Sequence, residues 1–329
     1  MWRGIEVVKN ESDPKAPAHV ELSEQLDDSV LMPGDVTIDV EYSSLNYKDG
    51  IALTGKPGIV REPRLIAGID LVGVVSESTD DRYFAGQRVL VNGCGLSETH
   101  HGGYAERARV PGDWVVPVPA SISNQHAAAI GTAGFTAMLS VLALERGGVT
   151  GDVLVTGAAG GVGSVAIALL SRLGFSVTAS TGRAEEHDYL RQLGATTIID
   201  RAELSVQPRA LMKQRWNGAI DAVGGSTLAS AIAATHYGGT VTACGNAQSS
   251  ELQTSVMPFI LRGVSLVGIN SVFTPRALRL EAWSRLESDL DLSALEGTTS
   301  TIALSDTIAA GADIIAGRIR GRTVIDVRR

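Results

Sequence analysis

The sequence predicts an α/β protein of two domains, a doubly wound parallel sheet beside a smaller domain of short antiparallel strands. Three observations predict it. From about Ser123 onward, apolar strands and helix-period segments alternate. A glycine-rich heptapeptide, 157–163, sits between one such strand and the next helix. Before Ser123 the chain instead alternates apolar and polar positions with a period of two, and it is punctuated by turn residues. At 329 residues the chain exceeds one ordinary core, so two domains of roughly 130 to 190 residues each are expected.

In residues 35–41, Val36, Ile38 and Val40 alternate with Thr37, Asp39 and Glu41, the pattern of a half-buried strand. Further strands are expected at 71–76, at 88–92 after the turn Ala85-Gly86-Gln87, and at 104–110 after Gly102-Gly103. Pro111, Pro117 and Pro119 bracket Trp114-Val115-Val116 and mark the exit from this domain. Ser123 is a suitable N-cap for an alanine-rich helix to Ile130, and a second helix follows at 134–144. Then come a strand at 152–156, a helix at 161–173 closed by Gly174, and a strand at 176–180. A helix at 184–193 closed by Gly194, strands at 196–200 and 219–223, a helix at 227–236 and a strand at 240–244 continue the series. Such alternation implies right-handed crossovers and a parallel sheet buried on both faces. A helix near 256–261, a strand near 264–269, a helical stretch at 275–290 and a strand at 323–327 complete the chain. The last piece is too small to bury its own core and is expected to rejoin the first domain. The boundaries are then 1–122 with 272–329 for the first domain and 123–271 for the dinucleotide-binding one.

A composition of 44% hydrophobic residues with 37 dispersed glycines excludes a disordered or collagen-like chain. Two cysteines, Cys94 and Cys244, give no disulfide framework, so a reducing, cytoplasmic compartment is expected. Charged residues within the first ten positions leave no room for a signal peptide, and apolar runs such as 165–170 fall short of the ~20 residues that span a bilayer. A net charge of −8 opposes binding to a phosphate backbone, so neither nucleic acid nor membrane is an expected partner.

The chemistry concentrates in Gly157-Ala158-Ala159-Gly160-Gly161-Val162-Gly163, between the strand Val153-Leu154-Val155 and a helix that continues Val165-Ala166-Ile167. Small residues let the backbone approach a pyrophosphate, the helix N-terminus offers unpaired N–H groups and partial positive charge, and Gly163 lets helix and strand lie close. An NAD-selective fold carries an acid at the end of the second strand, ~20 residues on, to hold the ribose 2′-hydroxyl. That place holds Ser180, followed by Thr181, Gly182 and Arg183, hydroxyls and a guanidinium suited to a 2′-phosphate. NADPH is therefore the expected cofactor. Cys94, His100 and His101 lie close in sequence but match no zinc spacing, and no metal is expected. In Ser43-Ser44-Leu45-Asn46-Tyr47-Lys48-Asp49, Tyr47 is a phenol of ordinary pKa near ~10 that can donate to an oxyanion or deliver a proton. It reads equally well as a half-buried strand-end aromatic beside solvated Lys48 and Asp49.

These motifs, with Gly68-Ile69-Asp70, Gly131-Thr132-Ala133-Gly134, Tyr237-Gly238-Gly239, Met257-Pro258-Phe259-Ile260-Leu261-Arg262 and Gly321-Arg322, resemble the zinc-less quinone-oxidoreductase-like branch of the medium-chain dehydrogenase/reductase superfamily nearly end to end. More narrowly they resemble its NADPH-dependent acryloyl-CoA reductases. The resemblance implies a discontinuous GroES-like domain and a Rossmann domain, with the nicotinamide in a cleft between them. Zinc-dependent relatives carry Gly-His-Glu where this chain has Gly68-Ile69-Asp70. By carry-over, Tyr47 would lie near the nicotinamide, Ser180 and Arg183 at the 2′-phosphate, and Ile260 and Ser271 at the nicotinamide end. Thr132, Ala159, Gly160, Gly161, Val162, Gly163, Thr181, Gly182 and Asn246 complete the cofactor-contacting set. Asn246 stands where the family pattern is apolar, which implies a more polar pocket.

The implied reaction is hydride transfer to the β-carbon of an enoyl thioester, with Tyr47 as hydrogen-bond or proton donor. A quinone acceptor and a non-catalytic NADPH-binding protein are the alternatives. Val264-Ser265-Leu266-Val267-Gly268-Ile269 reads as an apolar edge strand, which implies a homodimer.

Overall fold

The computed structural model describes every residue except 11, 14, 207 and 208. Its first unit comprises Met1–Thr132, Ser271–Glu281 and Leu295–Arg329. In chain order the unit begins with β1 (Trp2–Val8), β2 (His19–Leu26), β3 (Val36–Ser44), helix α1 (Tyr47–Leu53) and β4 (Arg64–Ile66). It continues with β5 (Asp70–Ser78), β6 (Arg88–Asn92), β7 (Arg107–Val110), β8 (Val116–Pro117) and the first arm of α2 (Asn124–Arg146). A three-stranded sheet runs β2-β1-β4, and a larger one carries β3-β5-β6-β8 with β7 also on β3. In β3 the apolar half of the expected alternation holds, with Val36, Ile38 and Val40 fully buried and Asp39 facing out, whereas Thr37 is buried where β5 and β7 flank the strand.

Two features differ from the expectation. Residues 47–53 are a helix, because the Asp49 carboxylate accepts from the Asn46 backbone N–H at 2.9 Å and closes a capping box. The two helices expected at 123–130 and 134–144 are arms of one element. Ser123 Oγ caps its start by accepting from His126 N at 3.1 Å, and Gly131, at φ 49° and ψ −161°, breaks it. By length and composition α2 could cross a bilayer, unlike the shorter apolar runs considered above, but 89% of its apolar window is buried in the protein.

The second unit, Ala133–Asn270 with Ala282–Ala294, contains the parallel sheet. Its elements are β9 (Asp152–Val155), α3 (Gly161–Arg172), β10 (Ser176–Thr181), α4 (His187–Gln192), β11 (Thr197–Asp200), β12 (Trp216–Asp221), α5 (Gly225–Ala233), β13 (Thr235–Ala243), α6 (Met257–Arg262) and β14 (Ser265–Gly268). Six parallel strands lie in the order β11-β10-β9-β12-β13-β14, so the winding reverses beside β9. Val153, Leu154, Val155, Ala219, Ile220 and Val241 are fully buried, as a sheet covered on both faces requires.

The chain ends with α7 (Arg276–Asp289), α8 (Leu292–Glu296), β15 (Thr299–Ala303), α9 (Thr307–Ile315) and β16 (Arg322–Asp326). β16 pairs with β3, Val324 opposite Ser44, which returns the C-terminus to the first unit. The division differs in detail from 122/123 and 271/272. Arg322 Nε donates to Ala129 O at 2.7 Å and Thr132 N to Asp70 at 2.9 Å, holding the first arm of α2 in the first unit. Arg285 binds both oxygens of Glu145 at 2.9 Å, holding 282–294 in the second.

Candidate active site

In the second unit, residues 157–163 leave the C-terminal end of β9 at the winding reversal, where doubly wound sheets open a crevice. Gly160 is the N-cap of α3 and has no side chain to accept from the first-turn N–H groups. A Cβ on Gly163 would lie 2.4 Å from Gly157 O, so helix and loop touch backbone to backbone. Facing the loop from β12, Asp221 accepts from Thr156 Oγ1 at 2.6 Å and from Gly224 N at 2.7 Å; burial pushes its carboxyl up. The composition gave no sign of this acid.

Ser180 and Thr181 end β10 and are buried. Ser180 O accepts from Ala158 N at 3.3 Å, so strand end and loop are joined. Arg183 reaches back over the loop: Nη2 donates to Ala159 O at 3.3 Å, and Nη1 is 3.8 Å from Glu186. The structure thus brings Ala159, Ser180, Thr181, Gly182 and Arg183 together. It adds Arg201, whose Nε would be 2.4 Å from a Cβ on Gly182. Arg201 follows β11, whose register beside β10, with Thr181 opposite Asp200, is invisible in a linear reading.

In the first unit, Tyr47 is the first residue of α1 and 45% exposed. Beneath it lies a buried polar cluster. Asp70 accepts from Ser44, Asn46, Asn92 and Thr132, and Asp49 accepts from Ile69 N at 2.9 Å and from Asn46. Arg322, also buried, donates to Ser44 Oγ at 2.9 Å and Asn46 Oδ1 at 3.2 Å. Burial, and then the neighbouring Asp70 charge, raise the Asp49 carboxyl to about 7. Asp49 is therefore not a solvated strand-end residue.

Thr132 and Ser271 lie in the first unit; Ile260, 68% exposed on α6, and Asn246, exposed after β13, lie in the second. No hydrogen bond among the described residues joins Asn246 or Ile260 side chains to the loop. Of the sequence-adjacent Cys94, His100 and His101, both histidines have structural partners. His100 packs edge-on against Trp114 at 5.1 Å. His101 accepts from Ile66 N at 3.1 Å and donates to Val30 O at 2.9 Å, and burial pushes its pKa down.

Residues 32–120 match the alcohol dehydrogenase GroES-like domain and residues 161–288 the zinc-binding dehydrogenase family. The chain is 50% identical to the probable acrylyl-CoA reductase AcuI of Escherichia coli, over 92% of this chain and 94% of that one. It is 47% identical to acrylyl-CoA reductase AcuI of Ruegeria pomeroyi over 99% of each, and 43% identical to the putative quinone oxidoreductase YhfP of Bacillus subtilis over 99% and 98%. The YhdH oxidoreductase of Salmonella enterica, solved in complex with NADP, superposes with a TM-score of 0.94 at 48% identity, over 98% of this chain and 99% of that one. YhfP, solved with NAD bound, gives 0.92 at 43% identity over 99% of each. The zinc in the matched family's description does not fit the Asp70 cluster: Ile69 is apolar, and both Asp70 oxygens face N–H and O–H donors.

Proposed function

Because the chain belongs to the medium-chain dehydrogenase/reductase superfamily, together with the acrylyl-CoA reductases and the quinone oxidoreductase it resembles, we propose that it reduces the carbon–carbon double bond of a short enoyl thioester with NADPH, converting acryloyl-CoA to propanoyl-CoA. The observation that carries the cofactor assignment is Arg183 folded over the phosphate loop beside the hydroxyls of Ser180 and Thr181, with no acid at the end of β10. Identity of 47% and 50% to the two acrylyl-CoA reductases supports the acceptor.

In this reading the first-turn N–H groups of α3, at Gly161, Val162 and Gly163, and the positive end of its dipole hold the pyrophosphate. Ser180, Thr181, Arg183 and Arg201 hold the 2′-phosphate across Gly182. Tyr47, Thr132 and Ser271 of the first unit, and Ile260 and Asn246 of the second, are assigned to the nicotinamide end by the family resemblance alone. Held by these residues, the nicotinamide would supply the hydride that the thioester β-carbon accepts. Tyr47 donates a hydrogen bond to the carbonyl oxygen as negative charge gathers there, and the proton that completes the reduction reaches the α-carbon from Tyr47 or from solvent. Assembly is a homodimer through the edge strand β14.

Absorbance of NADPH is followed with acryloyl-CoA, free acrylate and a quinone, and with NADH replacing NADPH. Rapid oxidation with the thioester and NADPH alone is expected, and Tyr47→Phe lowers kcat by about 10²-fold. Turnover restricted to the quinone makes the enzyme a quinone reductase like the name YhfP carries, equal use of NADH removes the role of Arg183, and full turnover of Tyr47→Phe removes that of Tyr47. Tight cofactor binding without turnover of any acceptor leaves a cofactor-binding protein.

A further inference from the structure

The first-unit groups used by the proposed function come from three separate stretches of chain: the start of α1, the residue after the α2 break, and residue 271. One buried carboxylate is tied to all three. Asp70 is fully buried. Its Oδ2 accepts from Ser44 Oγ at 2.6 Å, Asn46 Nδ2 at 2.8 Å and Thr132 N at 2.9 Å. Its Oδ1 accepts from Thr132 Oγ1 at 2.5 Å and Asn92 Nδ2 at 2.7 Å. Asn46 caps α1 directly before Tyr47. Thr132 follows Gly131, where a Cβ would lie 2.8 Å from Asp70 Oδ2. Asn92 O accepts from Arg279 Nη1 at 2.9 Å, and Arg279 Nη2 donates to Ser271 O at 3.2 Å.

These five bonds fill the roughly four lone-pair sites of a carboxylate, so Asp70 has no accepting capacity to spare for a ligand. Burying a charge is costly, and space alone could be filled by an apolar side chain. What the charge contributes is strong, directional acceptance from several donors at once, with Arg322 as counter-charge one hydroxyl away at Ser44. We infer that Asp70 is a positioning residue that sets Tyr47, Thr132 and Ser271 in register for the nicotinamide end of the cofactor. The inference rests on the functional reading above.

Asp70→Asn keeps the size and exchanges one accepting oxygen for a donor. In the full-length protein, kcat with NADPH and acryloyl-CoA is expected to fall about 10²-fold, the effect of a small misplacement of reacting groups. The Kd of NADPH, set in this reading by phosphate contacts in the second unit, changes less than about threefold, roughly half of a tenfold step in affinity. The fluorescence emission of bound NADPH moves toward that of the free cofactor. The double variant Asp70→Asn/Asn92→Asp restores an acceptor opposite the new amide and recovers about tenfold in kcat. Wild-type kcat and emission in Asp70→Asn overturn the inference, as does a Kd that rises in step with the loss of kcat. If the single variant does not fold, a folded double variant with measurable turnover supports it and a folded, inactive one overturns it. Absence of turnover in the wild type defeats the functional reading alone, since the emission comparison still decides the role of Asp70.

Discussion

Asp49 packs, wholly buried, against Asp70, Tyr104 and the Arg322 cluster. Burial first and then the Asp70 charge push its carboxyl up, hydrogen bonds from Ile69 and Asn46 pull it down, and the net is about 7. In the unfolded chain an aspartate titrates near ~4. Between those values the native protein holds a proton that the unfolded chain has released. Stability from this group is thus complete below pH ~4 and is lost as pH rises through about 7, with a slope approaching ~1.4 kcal/mol per pH unit. The urea midpoint of the wild type should therefore fall between pH 5 and 7.5 more steeply than that of Asp49→Asn; parallel curves would remove Asp49 as the source. Such a residue is hard to read from sequence. Asn46-Tyr47-Lys48-Asp49 is four polar side chains in a row, and only long-range pairing decides that the first and last are buried while Tyr47 is half-exposed. Ser180 and Arg183 were legible because their chemistry depends on distance along the chain from the loop. Arg201 was not, because it arrives through a neighbouring strand.

At the scale of elements, the contact between the phosphate loop and α3 makes a directional prediction. A methyl on Gly163 would sit 2.4 Å from Gly157 O and 2.7 Å from Ala158 Cα, both backbone atoms that cannot swing aside. On Gly160 the nearest atom, Gly157 O, would be 3.2 Å away. Gly163→Ala should raise the Kd of NADPH at least about tenfold and cost ~1–3 kcal/mol of stability as the loop lifts off the helix. Gly160→Ala should do markedly less, and equal effects in cofactor titrations and thermal melts would refute the packing argument. The same local logic explains which elements the pattern revealed. β6 and β9 are apolar runs between turn signals and were read within a residue of their ends. β4 and β8 have three and two residues, too short to express a period. β2 alternates exposed His19 and Glu21 with half-buried Val20 and Leu22, but Leu26 is its one buried residue, so its apolar face is too weak to stand out in sequence. α9 contains Gly311, which weakens a helical reading, yet a Cβ there would be 2.7 Å from Leu53 Cβ.

At the scale of the molecule, the parallel sheet has one consequence for assembly. Among the described residues β14 pairs only with β13, so it forms an open edge of the sheet, and Leu266 on it is 36% exposed. The helix before it, α6, exposes Leu261 at 54%, with Val256 at 65% just ahead. Long-range repulsion between chains of net charge −8 opposes association, so an interface here must draw on apolar burial and edge hydrogen bonds. Two copies of β14 related by a twofold axis satisfy both and close the edge, because the same patch then covers itself. Light scattering at micromolar concentration and physiological salt should give about twice the 34.4 kDa chain mass. Leu266→Lys places like charges near the axis, and edge lysines are a common means of blocking strand pairing, so this variant should run as a monomer with a lower melting temperature. Its melting temperature should also lose the concentration dependence expected of a dimeric wild type, because mass action links stability to association only in the dimer. A wild type of single-chain mass with a concentration-independent melting temperature would mean that β14 stays an open edge.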